Sequence, residues 1–307
     1  MEKMQSKFRP LFLLILLGVL WGSGYSLARF AVTSGVPPLG YAFWQMAGPS
    51  LLLFLYLALR SRWQRLHWRH VAYFMLIGLI GVGLPNTNMY FASRHLPSGL
   101  LSVVINTTPV FVYLIALLSG EEQWSRMRAI ALILLVSGLL IILLPSGPIG
   151  LGVRISPAWV LIALISPLCF ASAAVYIAKH PVELSVEILA CGMLIAAWLW
   201  LCPVVWFTHS FYFPGAYWQT RDSAVLAEIF LSSVGYVVFF ELLLSSGAVY
   251  YSFVNGVVAI MGVVWGQLFF SEPFSAVHII AMVIIVSATT LIVLAQLRRP
   301  SSNHHIN

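Results

Sequence analysis

Two asparagines set in long apolar runs are well placed to do chemistry. Asn106 lies in SGLLSVVINTTPVFVYLIALLSGEEQ and Asn255 in SGAVYYSFVNGVVAIMGVVWGQLFFSEP. An amide both donates and accepts hydrogen bonds, so such a pair suits a zwitterionic or amide-bearing ligand. At helical spacing Asn106 shares a face with Ser102, Pro109 and Tyr113; Asn255 shares one with Tyr251, Gly262 and Gly266. The competing reading is structural. Amides inside a membrane also act as hydrogen-bond glue between helices, at roughly 0.6–2 kcal/mol each.

Other part-polar residues fall in similar settings. GLIGVGLPNTNMY places Asn86 and Tyr90, four apart, just after Gly78, Gly81, Gly83 and Pro85. Proline withholds a backbone donor and frees a carbonyl, which a membrane tolerates only beside protein or water. A kinked helix lining a cavity and a close-packed glycine helix are the two readings. Trp21 and Tyr25 share a stripe with Gly18, Gly22 and Arg29; Trp44 and Gln45 sit together in the next run; Tyr176 follows Ser172 and Ala173. Gly18-x-x-x-Gly22 is a close-packing motif first. With 14% aromatic content, aromatic belts at the interface are the default home for the rings.

Two carboxylates fall inside apolar runs, Glu228 and Glu241. An intramembrane ionisable group is a functional hypothesis by default, and Glu228 shares a helical face with Ser232 and Tyr236. Glu228, Glu241 and His278 all fall near the ends of their runs, where long side chains can snorkel to water. A coupling role for Glu228 or Glu241 is therefore the weaker expectation, and a neutral cavity favours a facilitative carrier. Glu122 and Glu272 open helices and suit the helix dipole. Cys169, Cys191 and Cys202 lack CxxC spacing and read as packing residues. His304-His305 is too short for a metal site. HExxH, GxSxG and Walker A patterns are absent, and the single Asp, Asp222, falls in a predicted loop. No enzyme activity, cofactor or metal is expected.

The elements that must position these residues follow from composition. The chain of 307 residues is 61% hydrophobic and 8% charged, with mean hydropathy +0.95. A soluble domain cannot bury that much apolar surface, so lipid is the solvent. Predicted spans are 11–32, 39–59, 71–92, 97–118, 128–146, 157–178, 186–207, 224–244, 247–270 and 276–297. The run from Leu11 to Val32 exceeds a signal-peptide core and reads as a retained first span. The formal charge of +7 is no nucleic-acid footprint. With the N-terminus inside, twelve Lys and Arg fall in inner segments and four in outer ones. That bias puts both termini in the cytoplasm.

The two asparagine segments are also copies of one another. Ser98, Asn106, Glu122 and Ser137 pair with Ser246, Asn255, Glu272 and Ser287 at offsets of 148, 149, 150 and 150. Five spans per half is an odd number, so the second half is inverted relative to the first. The expected fold is an all-α membrane protein of ten transmembrane helices in two inverted five-helix repeats, residues 1–148 and 149–307. Gly147–Ser156 is the external linker.

These residues resemble the EamA-type family of the drug/metabolite transporter superfamily. LLGVLWGSGYSLARF and YFASRHLPSGLLSVVINTTPVF carry the likeness, with Glu122 thirteen residues after Pro109 and Gly138 sixteen further on. The family often places an Arg in span 2; that position is Gln45. Ala259 replaces the second-half proline, and Ser271-Glu272 replaces Gly-Glu. The resemblance implies a ten-helix inner-membrane exporter of amino acids or similar amphipathic metabolites, working by alternating access. The expected substrate-binding residues are Trp21, Tyr25, Trp44, Gln45, Asn86, Tyr90, Asn106, Tyr176, Tyr236, Tyr251 and Asn255. The expected partners are a small-molecule substrate and the lipid bilayer, with no nucleic acid, and the chain as a monomer. A multidrug exporter and an intramembrane enzyme are the rivals.

Overall fold

The computed structural model describes residues 2–119, 124, 126–143, 156–213, 218–271 and 276–297. Glu122, Glu272, His304-His305 and most of the Gly147–Ser156 linker lie outside the described residues, as does the side chain of His278. Among the described residues the structure is helical, with no strand. The helices are α1 (Glu2–Thr33), α2 (Pro38–Leu59), α3 (Trp68–Gly78), α4 (Leu84–Ala92), α5 (Ser98–Ile105), α6 (Thr108–Leu118) and α7 (Arg126–Leu143). They continue as α8 (Pro157–Ala163), α9 (Ile165–Lys179), α10 (Val186–Phe207), α11 (Thr220–Ser252), α12 (Val254–Phe270) and α13 (Ala276–Leu297). Seven described segments are long and apolar enough to cross a membrane: Arg9–Thr33, Pro38–Leu59, Trp68–Ala92, Ser98–Ile115, Pro157–Lys179, Val186–Phe207 and Thr220–Ser246.

Solvent preference is inverted relative to a soluble protein. Phe12, Phe54, Ile133, Phe230 and Ile260 face outward, while Gln45, Asn86, Asn106, Glu228, Ser232 and Asn255 are buried. In lipid an outward apolar residue costs nothing, and polar groups gain only by meeting one another inside. That sorting fixes how each helix rotates about its axis.

Breaks occur where the chain has a local reason to bend. Gly35 takes φ +103°, a region closed to most side chains, and Pro38 then starts α2 at a position where a missing N–H costs nothing. Between α3 and α4, Leu79–Gly83 forms a π-helical turn just before Pro85. The proline cannot donate to the preceding turn, and the widened π turn absorbs the mismatch. This matches the kinked-helix expectation for the segment. Ser166 Oγ donates to the Pro85 carbonyl at 2.9 Å, and Asn88 Nδ2 donates to the Ile162 carbonyl and to Ser166 Oγ, both at 2.8 Å. Those bonds tie α4 to the α8–α9 joint.

α11 corrects one expected boundary. A break was expected between residues 244 and 247, yet helical hydrogen bonding continues to Ser252 and α12 starts at Val254. The helix is not straight, however. Twelve residues of straight helix would separate Phe239 from Tyr251 by about 18 Å, but their rings lie 5.1 Å apart. The helix therefore bends sharply between Phe239 and Tyr251. Asp222 also departs from expectation: it sits in the first turn of α11 rather than in a loop. It is buried, accepting a hydrogen bond from the Tyr212 hydroxyl and one of 2.7 Å from the Gln219 amide.

Helix pairing is selective. α1 packs on α11 and α12, α2 on α10 and α11, α5 on α12, α7 on α13, and α9 on α4 and α6. Small residues set the closest approaches. A Cβ on Gly18 would come within 2.4 Å of Val257, and one on Gly22 within 2.6 Å of Met261. So Gly18-x-x-x-Gly22 is the close-packing motif that its spacing suggests, pressed against α12. The tightest contact joins α12 to α5, where a Cβ on Gly262 would lie 2.1 Å from Ser102 Oγ. We expect Gly262→Ala to cost about 1–3 kcal/mol in detergent melting. Ser102→Gly in the same chain should recover a good part of that loss. A double variant no more stable than Gly262→Ala would contradict this packing.

Candidate functional site

Polar residues from six helices converge on one internal cavity, Thr108 of α6 among them. α1 contributes Trp21, Gly24 and Tyr25; α2 contributes Gln45; α4 contributes Asn86 and Tyr90; α11 contributes Glu228, Ser232, Tyr236 and Tyr251; α12 contributes Asn255. Gly81, in the π turn ahead of Pro85, also borders it. About 70 Å³ of the cavity is open to water-sized molecules.

Hydrogen bonds join these groups into one directed chain. Asn86 Nδ2 donates to Gln45 Oε1 at 3.4 Å, and Gln45 Nε2 donates to Ser232 Oγ at 3.2 Å. Ser232 Oγ in turn donates to Glu228 Oε1 at 2.7 Å. Every donor points toward the carboxylate, so each bond polarises the next. Tyr236 branches from the chain, its hydroxyl accepting from Asn86 Nδ2 at 3.0 Å and from Gln45 Nε2 at 3.3 Å. With both lone pairs engaged, that hydroxyl keeps its own proton to donate.

Glu228 Oε2 makes no hydrogen bond, although the side chain is 94% covered, its relative exposure being 6%. The Tyr41 hydroxyl is near enough to interact with the carboxylate, but it too makes no hydrogen bond of normal geometry. Gly24 faces the same oxygen, since a Cβ there would sit 3.0 Å from Oε2. Among the described residues, no Lys, Arg or His lines the cavity. The aromatic wall is continuous: Trp21 lies 6.0 Å from Tyr236, 5.6 Å from Phe239 and 6.3 Å from Tyr251, centroid to centroid.

Eight of the sequence-predicted binding residues meet here: Trp21, Tyr25, Gln45, Asn86, Tyr90, Tyr236, Tyr251 and Asn255. Trp44 does not. Its Nε1 donates to the Tyr212 carbonyl at 2.6 Å, and its ring joins Phe43, Phe211 and Phe213 beyond the end of α10. Asn106 is buried at the joint between α5 and α6, off the cavity lining. Tyr176 stacks on His180 at 4.4 Å near the end of α9. Glu241 lies at the edge of the bundle in an ion pair of 2.6 Å with Arg9, as its position near a membrane face suggests.

Glu228 overturns the expectation that it snorkels to a membrane face. Counting rise along a helix gave its depth but not its direction, and the side chain turns inward to Ser232. Sequence reasoning also missed Thr108, Phe170, Ile177, Met193 and Phe239. Most are apolar, and nothing in their type separates a cavity wall from core.

Comparison with known proteins adds the family. Residues 8–144 match the EamA-like transporter family. An uncharacterized transporter, YvbV, of Bacillus subtilis (strain 168) is 26% identical over 293 residues, covering 94% of this chain and 93% of its own. Over residues 8–144 the chain is thus similar to EamA-like transporters, and over nearly its whole length to an uncharacterized transporter. That likeness, together with the membrane-spanning helices, points to a multi-pass membrane protein that transports small molecules. A solved crystal structure, described only as that of a protein, shares the fold at TM-score 0.61 and 15% identity, covering 93% of this chain and 99% of its own. The network can be tested apart from transport. Tyr236→Phe leaves two buried amides without a shared acceptor, a loss of about 1–3 kcal/mol in detergent melting. Tyr176→Phe, outside the network, should cost about 0.5 kcal/mol or less. Equal losses would contradict the network.

Proposed function

We propose that this chain exports small organic metabolites, amino acids or similar amphipathic molecules, by alternating access between two inverted five-helix halves of the inner membrane. Both termini then lie in the cytoplasm, on the side where twelve of its sixteen Lys and Arg fall. The observation that carries the reading is the enclosed cavity, polar on one wall and aromatic on the other, at the meeting of α1, α2, α4, α11 and α12. Carriers built from inverted repeats bind substrate at the repeat interface near the midplane, beside broken helices. α3–α4 carries such a break in its π turn, and α5–α6 carries another at Asn106–Thr107.

Helix pairing supports the two-fold relation. Exchanging the halves maps α1 onto α8–α9, α2 onto α10, α3–α4 onto α11, α5–α6 onto α12 and α7 onto α13. Under that exchange α2·α10, α5·α12 and α7·α13 map onto themselves. The α1·α11 contact maps onto α9·α4, α1·α12 onto α9·α6, and α2·α11 onto α10·α3. All of these pairs occur. An amphipathic ligand suits such a cavity because its apolar part meets rings while its polar part meets amides and hydroxyls.

Flux in proteoliposomes with a panel of labelled metabolites tests the proposal. Asn255→Ala, on the lining, should slow flux about ten-fold, the loss of one good hydrogen bond, at nearly unchanged thermal stability. Asn106→Ala, off the lining, should act on stability instead. No flux of any panel member, or flux indifferent to Asn255→Ala, would contradict the proposal.

A further inference from the structure

Glu228 is the residue the proposed function leaves unexplained. Its carboxylate has one oxygen held by Ser232 at 2.7 Å and the other without a hydrogen bond, in a side chain that is 94% covered. Among the described residues it has no salt-bridge partner. The charged groups on the elements packed around it engage elsewhere. Arg29 of α1 donates to the Leu96 carbonyl and lies over Phe270. Arg221 of α11 reaches the Ser34 carbonyl at 3.0 Å, and Glu241 of α11 pairs with Arg9. Glu187 of α10 pairs with Arg62, while Lys179 closes α9. The titratable groups that do face Glu228 are phenols: Tyr41 of α2, Tyr25 of α1, Tyr90 of α4 and Tyr236 of its own helix.

A lone carboxylate in a water-poor interior cannot stay charged and uncompensated. It must hold either a proton or a cation. The hydrogen-bond chain accommodates both, because Oε1 keeps accepting from Ser232 in either state while Oε2 takes the proton or faces the cation. Next to Oε2 lies Gly24, whose missing side chain leaves the approach open. One helical turn before Gly24 is Trp21, ringed by Tyr236, Phe239 and Tyr251. Aromatic faces attract ammonium groups strongly once water is excluded. A carboxylate beside such a wall, with no cationic side chain among the described lining residues, discriminates against a substrate carboxylate and in favour of an ammonium.

We propose that the cavity binds small organic ammonium cations, with the ammonium against Glu228 and the Trp21 wall, and that each cation displaces the proton of the Glu228 carboxyl. This rests on the transport reading and narrows its substrate class to the net-cationic, amine-bearing members. Proton and cation occupy one oxygen in turn, so a carrier moving one at a time across the membrane exchanges them. The bond account is simple: the O–H of the carboxyl breaks, its proton passes to solvent, and an ion pair forms in its place.

The test is binding of tetraethylammonium to the purified full chain in weakly buffered detergent. A quaternary ammonium has no proton of its own, so any release comes from the protein. We expect one proton released per probe bound, and in the wild type an affinity that rises about ten-fold per pH unit while Glu228 is protonated. Glu228→Gln should abolish release and binding, whereas Glu241→Gln should preserve both. Leucine should bind more weakly, without proton release. Leucine binding as tightly as the probe, or wild-type probe affinity that is flat between pH 5 and pH 9, would overturn the proposal. The wild-type pH series decides the matter even if Glu228→Gln fails to fold. Probe binding with proton release supports the inference whether or not proteoliposomes show flux, so a failure of flux bears only on the transport reading.

Discussion

Placing a carboxylate inside a lipid-solvated bundle is the constraint on which the rest of this structure turns. Lipid offers no hydrogen bonds, so every buried polar group must find its partner in the protein. Glu228 is met by Ser232, Ser232 by Gln45, and Gln45 by Asn86 and Tyr236. Three helices, α2, α4 and α11, must therefore hold fixed rotations to keep that chain closed. Removing one member strands the next, which makes the network expensive to alter and rigid while intact.

The packing around the network serves the same end. Close approach of α1 to α12 and of α5 to α12 needs glycine at Gly18, Gly22 and Gly262. These contacts bring backbones together on both flanks while the centre stays open. The π turn before Pro85 re-aims Asn86 and Tyr90 at the cavity. A regular helix through residues 79–83 would rotate everything beyond it by part of a turn. Local irregularity thus positions a polar group that regular geometry would misplace.

Much of this was legible in the sequence. Composition identified lipid as solvent, and Gly-Pro breaks located most helix ends. Part-polar residues in apolar runs pointed to eight that line the cavity, because in lipid such residues seek the interior or the interface. What the sequence could not resolve was the choice between those two destinations. Trp44 joined an aromatic cluster with Phe43, Phe211 and Phe213, away from the cavity, and Glu228 went inside, though both lie within a few turns of a helix end. The apolar wall from Phe170, Ile177 and Met193 was illegible, since its chemistry equals that of core. The paired Ser-Gly sites of the repeat suggested a break in α11, where the structure has a bent but continuous helix.

The central claim is that the cavity at Glu228 is a passage rather than a buried void. Ala173 is a small residue of α9 on its lining, and a cysteine placed there in a chain lacking Cys169, Cys191 and Cys202 reports access directly. A membrane-impermeant thiol reagent should label it from the outside of intact cells and from the inside of inverted vesicles. A carrier that alternates between two open states predicts labelling from both sides. Labelling from neither side, or from one side under all conditions, would contradict the account.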